Sequence, residues 1–272
     1  MAESLKFKLT PARKKHLQNI AALGGNAKYK KYGHVSLDEQ KRKRAWEKWW
    51  EGEGKLKSQK ILQPVKIKKP NRSRELAEFV GIMIGDGGIS EYFIAVTLNS
   101  NTDAKYAVFV SKLIEKLFKV TPKVRRRKIS TALDVIVHRK ELVDFCIAIG
   151  LKKGNKLKQN LDIPDWIKKE SVFSRACLRG LIDTDGSFYE HHYMSKGKMY
   201  HYEKVSFSSR SPLLIRSVYL LLQDFCIKSE IAYNGKEVRI QSQENVKKFV
   251  KLIGTSNPKH ADKHRQFNLK ER

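Results

Sequence analysis

The chain has 272 residues, 40% of them hydrophobic, enough for one large core or two modest ones, which excludes a wholly disordered segment. Fifty-six Lys and Arg against 28 Asp and Glu give a formal charge of +28, far more than solubility requires, and point to a polyanionic partner, nucleic acid ahead of acidic lipid. No apolar run approaches the roughly 20 residues of a membrane helix, and Met1 to Thr10 lacks the apolar stretch of a secretory signal, so no membrane role and an intracellular location in cytoplasm, nucleoid or organelle are expected.

In chain order, residues 1–72 carry half of the charge, twenty Lys and Arg against six Asp and Glu, and read as a basic N-terminal extension with its linker. A helix is predicted from Pro11 to Leu23, stopped by Gly24-Gly25. A second runs from Leu37 to Trp50, with Ser36 as N-cap and Trp46, Trp49 and Trp50 clustered. Gln63 to Asn71, with Pro64 and Pro70 among lysines, reads as linker. From Ser73 the pattern gives a helix to Asp86, alternating segments from Gly88 to Asn99 and a helix from Asp103 to Phe118. A basic strand pair from Lys123 to His138 and a helix from Glu141 to Ile149 complete an αββαββα order. After a linker at 158–172, the same order returns: Phe173 to Asp185, a long hairpin from Ser187 to Ser208, Pro212 to Cys226, Ile231 to Ser242 and Glu244 to Ile253. Cys146, Cys177 and Cys226 lie far apart in apolar helical surroundings and read as reduced core residues, without zinc or disulfide.

The two passes superpose as a repeat, residues 73–157 on 173–272. Gly81, Gly85, Asp86 and Gly87 match Gly180, Thr184, Asp185 and Gly186 at a constant offset of 99. Leu142, Phe145, Ile149 and Gly150 match Val246, Phe249, Ile253 and Gly254 at 104, so the second copy carries extra residues in its hairpin, near Ser195 to Tyr200. Small residues four apart share one helix face. Gly81 and Gly85 on one helix, with Gly180 and Thr184 on the other, therefore let the two backbones touch and bring Asp86 beside Asp185. Such carboxylates repel unless a divalent cation sits with them, and oxygen-only ligation favours Mg2+. That ion can polarise a phosphate and activate water, the work of phosphodiester hydrolysis. Asp183 has Ile84 as its counterpart, so a symmetric site cannot use it, and it reads as structural or peripheral.

Phe-Val-Gly-Ile-Met-Ile-Gly-Asp-Gly (79–87) and Leu-Arg-Gly-Leu-Ile-Asp-Thr-Asp-Gly (178–186) resemble the two signature helices of single-chain LAGLIDADG homing endonucleases, often intron-encoded, over roughly residues 73–265. The resemblance implies an α+β monomer whose two pseudo-symmetric repeats form a DNA-binding saddle along the major groove of a long double-stranded site. It also implies metal binding by Asp86, Asp185 and the carbonyls of Gly85 and Thr184. A lysine after the last helix of each copy belongs to the site, which falls on Lys156, ending Gly-Asn-Lys, and Lys259, ending Asn-Pro-Lys. Ile84 at the motif's first acidic position departs from the pattern and leaves the metal-binding acid untouched.

By period two, Lys123, Arg125 and Arg127 share one strand face, as do Arg239, Gln241 and Gln243. Arg and Gln suit guanine and adenine edges. Tyr189, His191, Tyr193, Tyr202 and Lys204 offer further base and phosphate contacts on the hairpin. The eight histidines show no metal-ligand spacing repeated in both copies and read as surface or groove residues. Two other readings use the same scaffold: an intron maturase binding RNA, and a DNA-binding regulator that does not cut.

Overall fold

The computed structural model describes residues 11–32, 39–57 and 66–270, and the chain forms two compact units divided between Gln63 and Pro64. In the first unit α1 (Pro11–Tyr32) runs through Gly24-Gly25 instead of stopping there. Glycine ends a helix when the chain must take positive φ. Neither of these glycines does, so they remain helical at about 1 kcal/mol each relative to alanine. α2 (Glu39–Trp49) passes into a π-helical turn, Trp50–Gly54, with the Trp46 and Trp50 rings stacked 5.4 Å apart. The expected cap Ser36 lies outside the described residues. Within the second unit, residues 66–72 are docked on the first repeat rather than acting as free linker. Ile67 is buried and its N–H donates to Glu141 Oε2 at 2.9 Å, while Lys68 N–H donates to the Phe118 carbonyl at 3.0 Å.

The first repeat contains α3 (Arg74–Ile84), β1 (Gly87–Ile89), β2 (Ile94–Asn99), α4 (Ala104–Phe118), β3 (Lys123–Arg126), β4 (Ala132–Val137) and α5 (Lys140–Ala148). Ser73 starts α3 by accepting from Leu76 N–H at 3.2 Å. A 3₁₀ turn (Lys156–Lys158) and α6 (Asp165–Lys168) form the connection. Ile163 and Ile167 are buried there, and Trp166 Nε1–H donates to the Ile149 carbonyl at 2.9 Å. The second repeat contains α7 (Ser171–Asp185), β5 (Gly186–Ser195), β6 (Lys198–Ser208), α8 (Pro212–Asp224), β7 (Glu230–Ala232), β8 (Glu237–Ile240) and α9 (Gln243–Leu252). A helix beyond the expected order follows: α10 (Pro258–Lys270). Lys259 therefore sits in its first turn and not in a turn between elements.

The fold is α+β with two four-stranded antiparallel sheets in the same spatial order, β1-β2-β4-β3 and β5-β6-β8-β7. In the first, Ile94, Val96, Leu98, Val135 and Val137 turn inward by period two. Phe188, Val205, Phe207, Val238 and Ile240 do so in the second. The other faces are the open ones, where Ala95, Thr97, Tyr189 and Lys204 are only half-buried. The halves differ most in their first hairpin: β1 has 3 residues and β5 has 10. The longer pair closes through Lys196 and Gly197, both at positive φ, as a two-residue hairpin turn of the primed type requires.

Candidate metal centre and nucleic-acid interface

α3 and α7 pack directly against one another, and the glycines are why. A Cβ added at Gly81 would collide with the Cys177 carbonyl. One at Gly180 would collide with the Glu78 carbonyl and lie 2.9 Å from Ile82 N, and one at Gly85 would overlap the Thr184 side chain. Thr184 fits at the fourth position because its hydroxyl folds back onto its own helix, donating toward the carbonyls of Gly180 at 2.9 Å and Leu181 at 3.0 Å.

That seam ends at Asp86 and Asp185. Burial, followed by the neighbouring Asp185 carboxylate, pushes Asp86 up to about 7. Asp185 keeps an open side to solvent, yet the protein around its other sides raises its carboxyl above the ordinary value. Lys156 lies against both acids. Burial lowers its ammonium from the usual lysine range, and the Asp185 and Asp86 charges resist that shift. Its Nζ donates to the Ile84 carbonyl at 2.8 Å and also to the Gly85 carbonyl. Two crowded carboxylates and a helix-end carbonyl, already attended by a cation, form an oxygen-donor set that fits a hard divalent ion. A concavity of about 600 Å³ opens beside Gly85, Lys156 and Asp185.

Lys259 does not mirror Lys156. Its Nζ pairs with Asp103 Oδ1 at 2.8 Å, although it remains near enough to Asp86 to lower that group's affinity for a proton. Asp103 escaped the sequence reading because it stands where a helix-capping acid is ordinary. Burial opposes its ionisation, but hydrogen bonds from Lys259, Thr102 and Asn257 hold it below the usual carboxylate range. Asp183 is structural, as read, but central rather than peripheral. It is buried and accepts from Ser256 N–H at 2.7 Å and from the Thr255 hydroxyl, while Ser256 Oγ reaches Glu78 of α3 at 2.6 Å. Burial raises Glu78 despite that hydrogen bond.

On the open sheet faces, Lys123 and Arg125 lie on β3 opposite Ile136 and Asp134. Arg127 lies just past the strand and is committed to Asp134 through two hydrogen bonds of 2.7 and 2.8 Å. In the second sheet, Tyr189 pairs with Lys204 and His191 with Tyr202, while Ser206 pairs with Arg239, placing these residues on the open face. Lys204 Nζ donates to Gln241 at 2.9 Å. Arg239 is held by Glu237 at 2.8 Å and lies over the Tyr233 ring. Gln243 departs from its expected place: Ser242 caps a helix here, so Gln243 opens α9 and does not extend β8.

Residues 173–254 match the family model of the LAGLIDADG-like domain. The chain also resembles the crystal structure of the I-LtrWI LAGLIDADG homing endonuclease bound to target DNA, with a TM-score of 0.50 at 14% identity over 72% of this chain and 90% of that one. The second repeat is a LAGLIDADG-like domain, and the two repeats together carry the LAGLIDADG fold. Curated relatives include the replication factor C small subunit of Methanocaldococcus jannaschii, 32% identical over 148 residues and 53% of this chain, and the tRNA-splicing ligase RtcB of Methanopyrus kandleri, 24% identical over 207 residues and 66% of this chain. The chain spans only 8% and 20% of those proteins' lengths. Those two proteins differ in activity, so the segment that each shares with this chain carries neither name across.

Proposed function

We propose that this chain is a site-specific double-stranded DNA endonuclease, a homing endonuclease that hydrolyses phosphodiester bonds with a divalent metal, Mg2+ by donor chemistry. The observation carrying this reading is the meeting of Asp86 and Asp185 at the end of a glycine-sealed helix pair, where burial raises both carboxyls. Asp86 and Asp185, with the carbonyls of Gly85 and Thr184, would hold the metal, which when bound supplies Lewis acidity to the phosphate and a more acidic water. Lys156 contributes positive charge beside the scissile phosphate, where developing negative charge needs it. Its ammonium bonds the Gly85 carbonyl, one of the oxygens that would hold the metal. Lys259, held by Asp103, supplies charge from farther away. The open sheet faces provide the saddle: Lys123, Arg125, Arg239 and Gln241 suit the grooves, with Tyr189, His191 and Lys204 on the hairpin. A formal charge of +28 provides the sequence-independent affinity.

The test is the full chain with a randomised duplex library. Discrete double-strand cuts in Mg2+ are expected, whereas Asp86→Asn and Asp185→Asn should each bind DNA and fail to cut. Binding without any cutting by the unaltered chain moves the reading to a regulator or an RNA-binding maturase. An Asp86→Asn protein that cuts at the unaltered rate would falsify the metal assignment.

A further inference from the structure

Beyond Val205 no third strand joins the β5–β6 ribbon, although α10 packs against its base, where His264 meets Glu203 at 2.6 Å. β8 pairs with β6 only from Val205 to Ser208, so the stretch from Tyr189 to Lys204 has no third strand among the described residues. A two-stranded ribbon is marginal in water, yet this one carries the aromatic face described above. Directly paired residues of an antiparallel ribbon share a face, and the pairs sort cleanly. Tyr193 pairs with Tyr200 and His191 with Tyr202 on the open face, where the Tyr193 ring stacks on Tyr200 at 5.3 Å and on Tyr202 at 5.6 Å. His192 pairs with His201 and Glu190 with Glu203 on the opposite face, the one that continues inward to buried Phe188 and Val205.

We propose that Glu190, His192 and His201 form a second cation site, for a transition-metal ion of the zinc class, that clips the two ribbon strands together from behind their aromatic face. Each residue offers a ligand atom, and these atoms lie within 4.8 Å of one another. His192 Nδ1 and His201 Nδ1 are 2.6 Å apart, Glu190 Oε2 is 3.6 Å from His192 Nε2, and Glu190 Oε1 is 3.7 Å from His201 Nδ1. Two nitrogens bound tetrahedrally at zinc distances stand roughly 3.3 Å apart, which these exposed rings reach by a small rotation. Two imidazoles and a carboxylate favour zinc, copper or nickel, whereas the all-oxygen set at Asp86 and Asp185 favours magnesium, so the two sites select different ions. One ligand comes from β6 and two from β5, hence the ion cross-links the strands. It leaves Tyr189, His191, Tyr193 and Lys204 uncovered. Metal binding stands independently of the endonuclease reading; only its benefit to DNA contact rests on that reading.

The experiment uses the full chain, stripped with chelator and titrated with Co2+ and Zn2+, together with His192→Ala and His201→Ala, whose exposed rings are not part of the core. The unaltered protein should bind one Co2+ with the visible absorption of a low-symmetry nitrogen and oxygen site, and so should Asp86→Asn/Asp185→Asn. Each histidine variant should weaken that ion by more than the roughly tenfold that loss of an outer hydrogen-bond partner costs a metal site. Zinc should also slow hydrogen exchange of amides between Glu190 and Tyr202 in the unaltered chain and not in His192→Ala. Equal metal affinity in the variants, or ribbon exchange indifferent to zinc, overturns the proposal. Mg2+-dependent cutting by His192→Ala is scored separately, so a failed clip and a failed endonuclease reading give different results.

Discussion

The two repeats agree where their helices touch and diverge where they face outward. Gly81 and Gly180 each meet the partner backbone, whereas Ile84 in one copy stands where the other has Asp183. Ile84 is simply buried. Asp183 is equally buried but gathers Thr255 and Ser256, the chain entering α10, a helix for which the first repeat has no equivalent among the described residues. Lys156 reaches the motif carbonyls while Lys259 turns to Asp103, and a 3-residue first strand is set against one of 10. The pseudo-twofold thus holds in the sheet order and most closely at the helix seam, where backbone contact enforces it. The departures give each half its own connections and its own outer surface.

The largest expected effect tests the enforced symmetry. Gly180→Leu should cost at least the upper end of the roughly 1 to 3 kcal/mol of an overpacked core, because the obstructing atoms are backbone. Gly88, whose added Cβ meets only the Ala95 carbonyl at 4.0 Å, should accept Ala with little change. Equal melting temperatures for the two variants would show that the seam is not where the fold is rigid.

Next comes the lysine asymmetry. Lys156→Met should slow single-turnover cleavage of bound DNA on the order of a hundredfold, the scale of one lost electrostatic contact to a transition state. It should also tighten Mg2+ binding, since a competitor for the Gly85 carbonyl is gone. Lys259→Met should affect rate less and stability more, by releasing Asp103. Identical kinetic losses in both would restore the symmetry that the contacts deny.

A smaller effect separates Asp183 from its counterpart. Asp183→Ala leaves Ser256 N–H without its acceptor and should destabilise by about 1 to 3 kcal/mol, whereas Ile84→Val should cost about 0.5 to 1.5 kcal/mol. Denaturant midpoints measure both.

A further effect depends on pH. With the folded Asp86 carboxyl at about 7 and its ordinary value at 3.8, folding favours the protonated acid. In metal-free protein that contribution is full below about 4 and is lost as pH rises through about 7. Asp86→Asn should therefore gain stability relative to the unaltered chain across that window, and Mg2+ should remove the difference. A difference that is constant with pH would show that Asp86 is not held protonated by its surroundings.

The helix seam and the order of elements are legible because each rests on local periodicity repeated twice. Asp103 was not, since an acid before a helix is ordinary and only the folded chain brings Asn257 and Lys259 to it. Glu78 was hidden likewise: on its own helix it looks like a surface acid, and its burial depends on Ser256 and Arg179 from the other repeat. α10 was missed because its sequence is too polar for an apolar stripe, although Phe267 is buried. His192 and His201 lie nine residues apart and meet only across a hairpin, a spacing that no linear motif records.

The glycine seam also fixes an order of events during synthesis. The face of α3 around Gly81 has no partner until α7 emerges, and Arg179 meets Glu78 only across 101 residues of chain. At about 5 to 20 residues per second, a nascent first repeat therefore presents that face for about 5 to 20 s. Through this interval it is a half-made dimer seeking a second half, and another nascent chain offers the same small-residue face. Correct assembly thus depends on the tether between the repeats delivering α7 faster than a neighbouring ribosome can deliver a substitute.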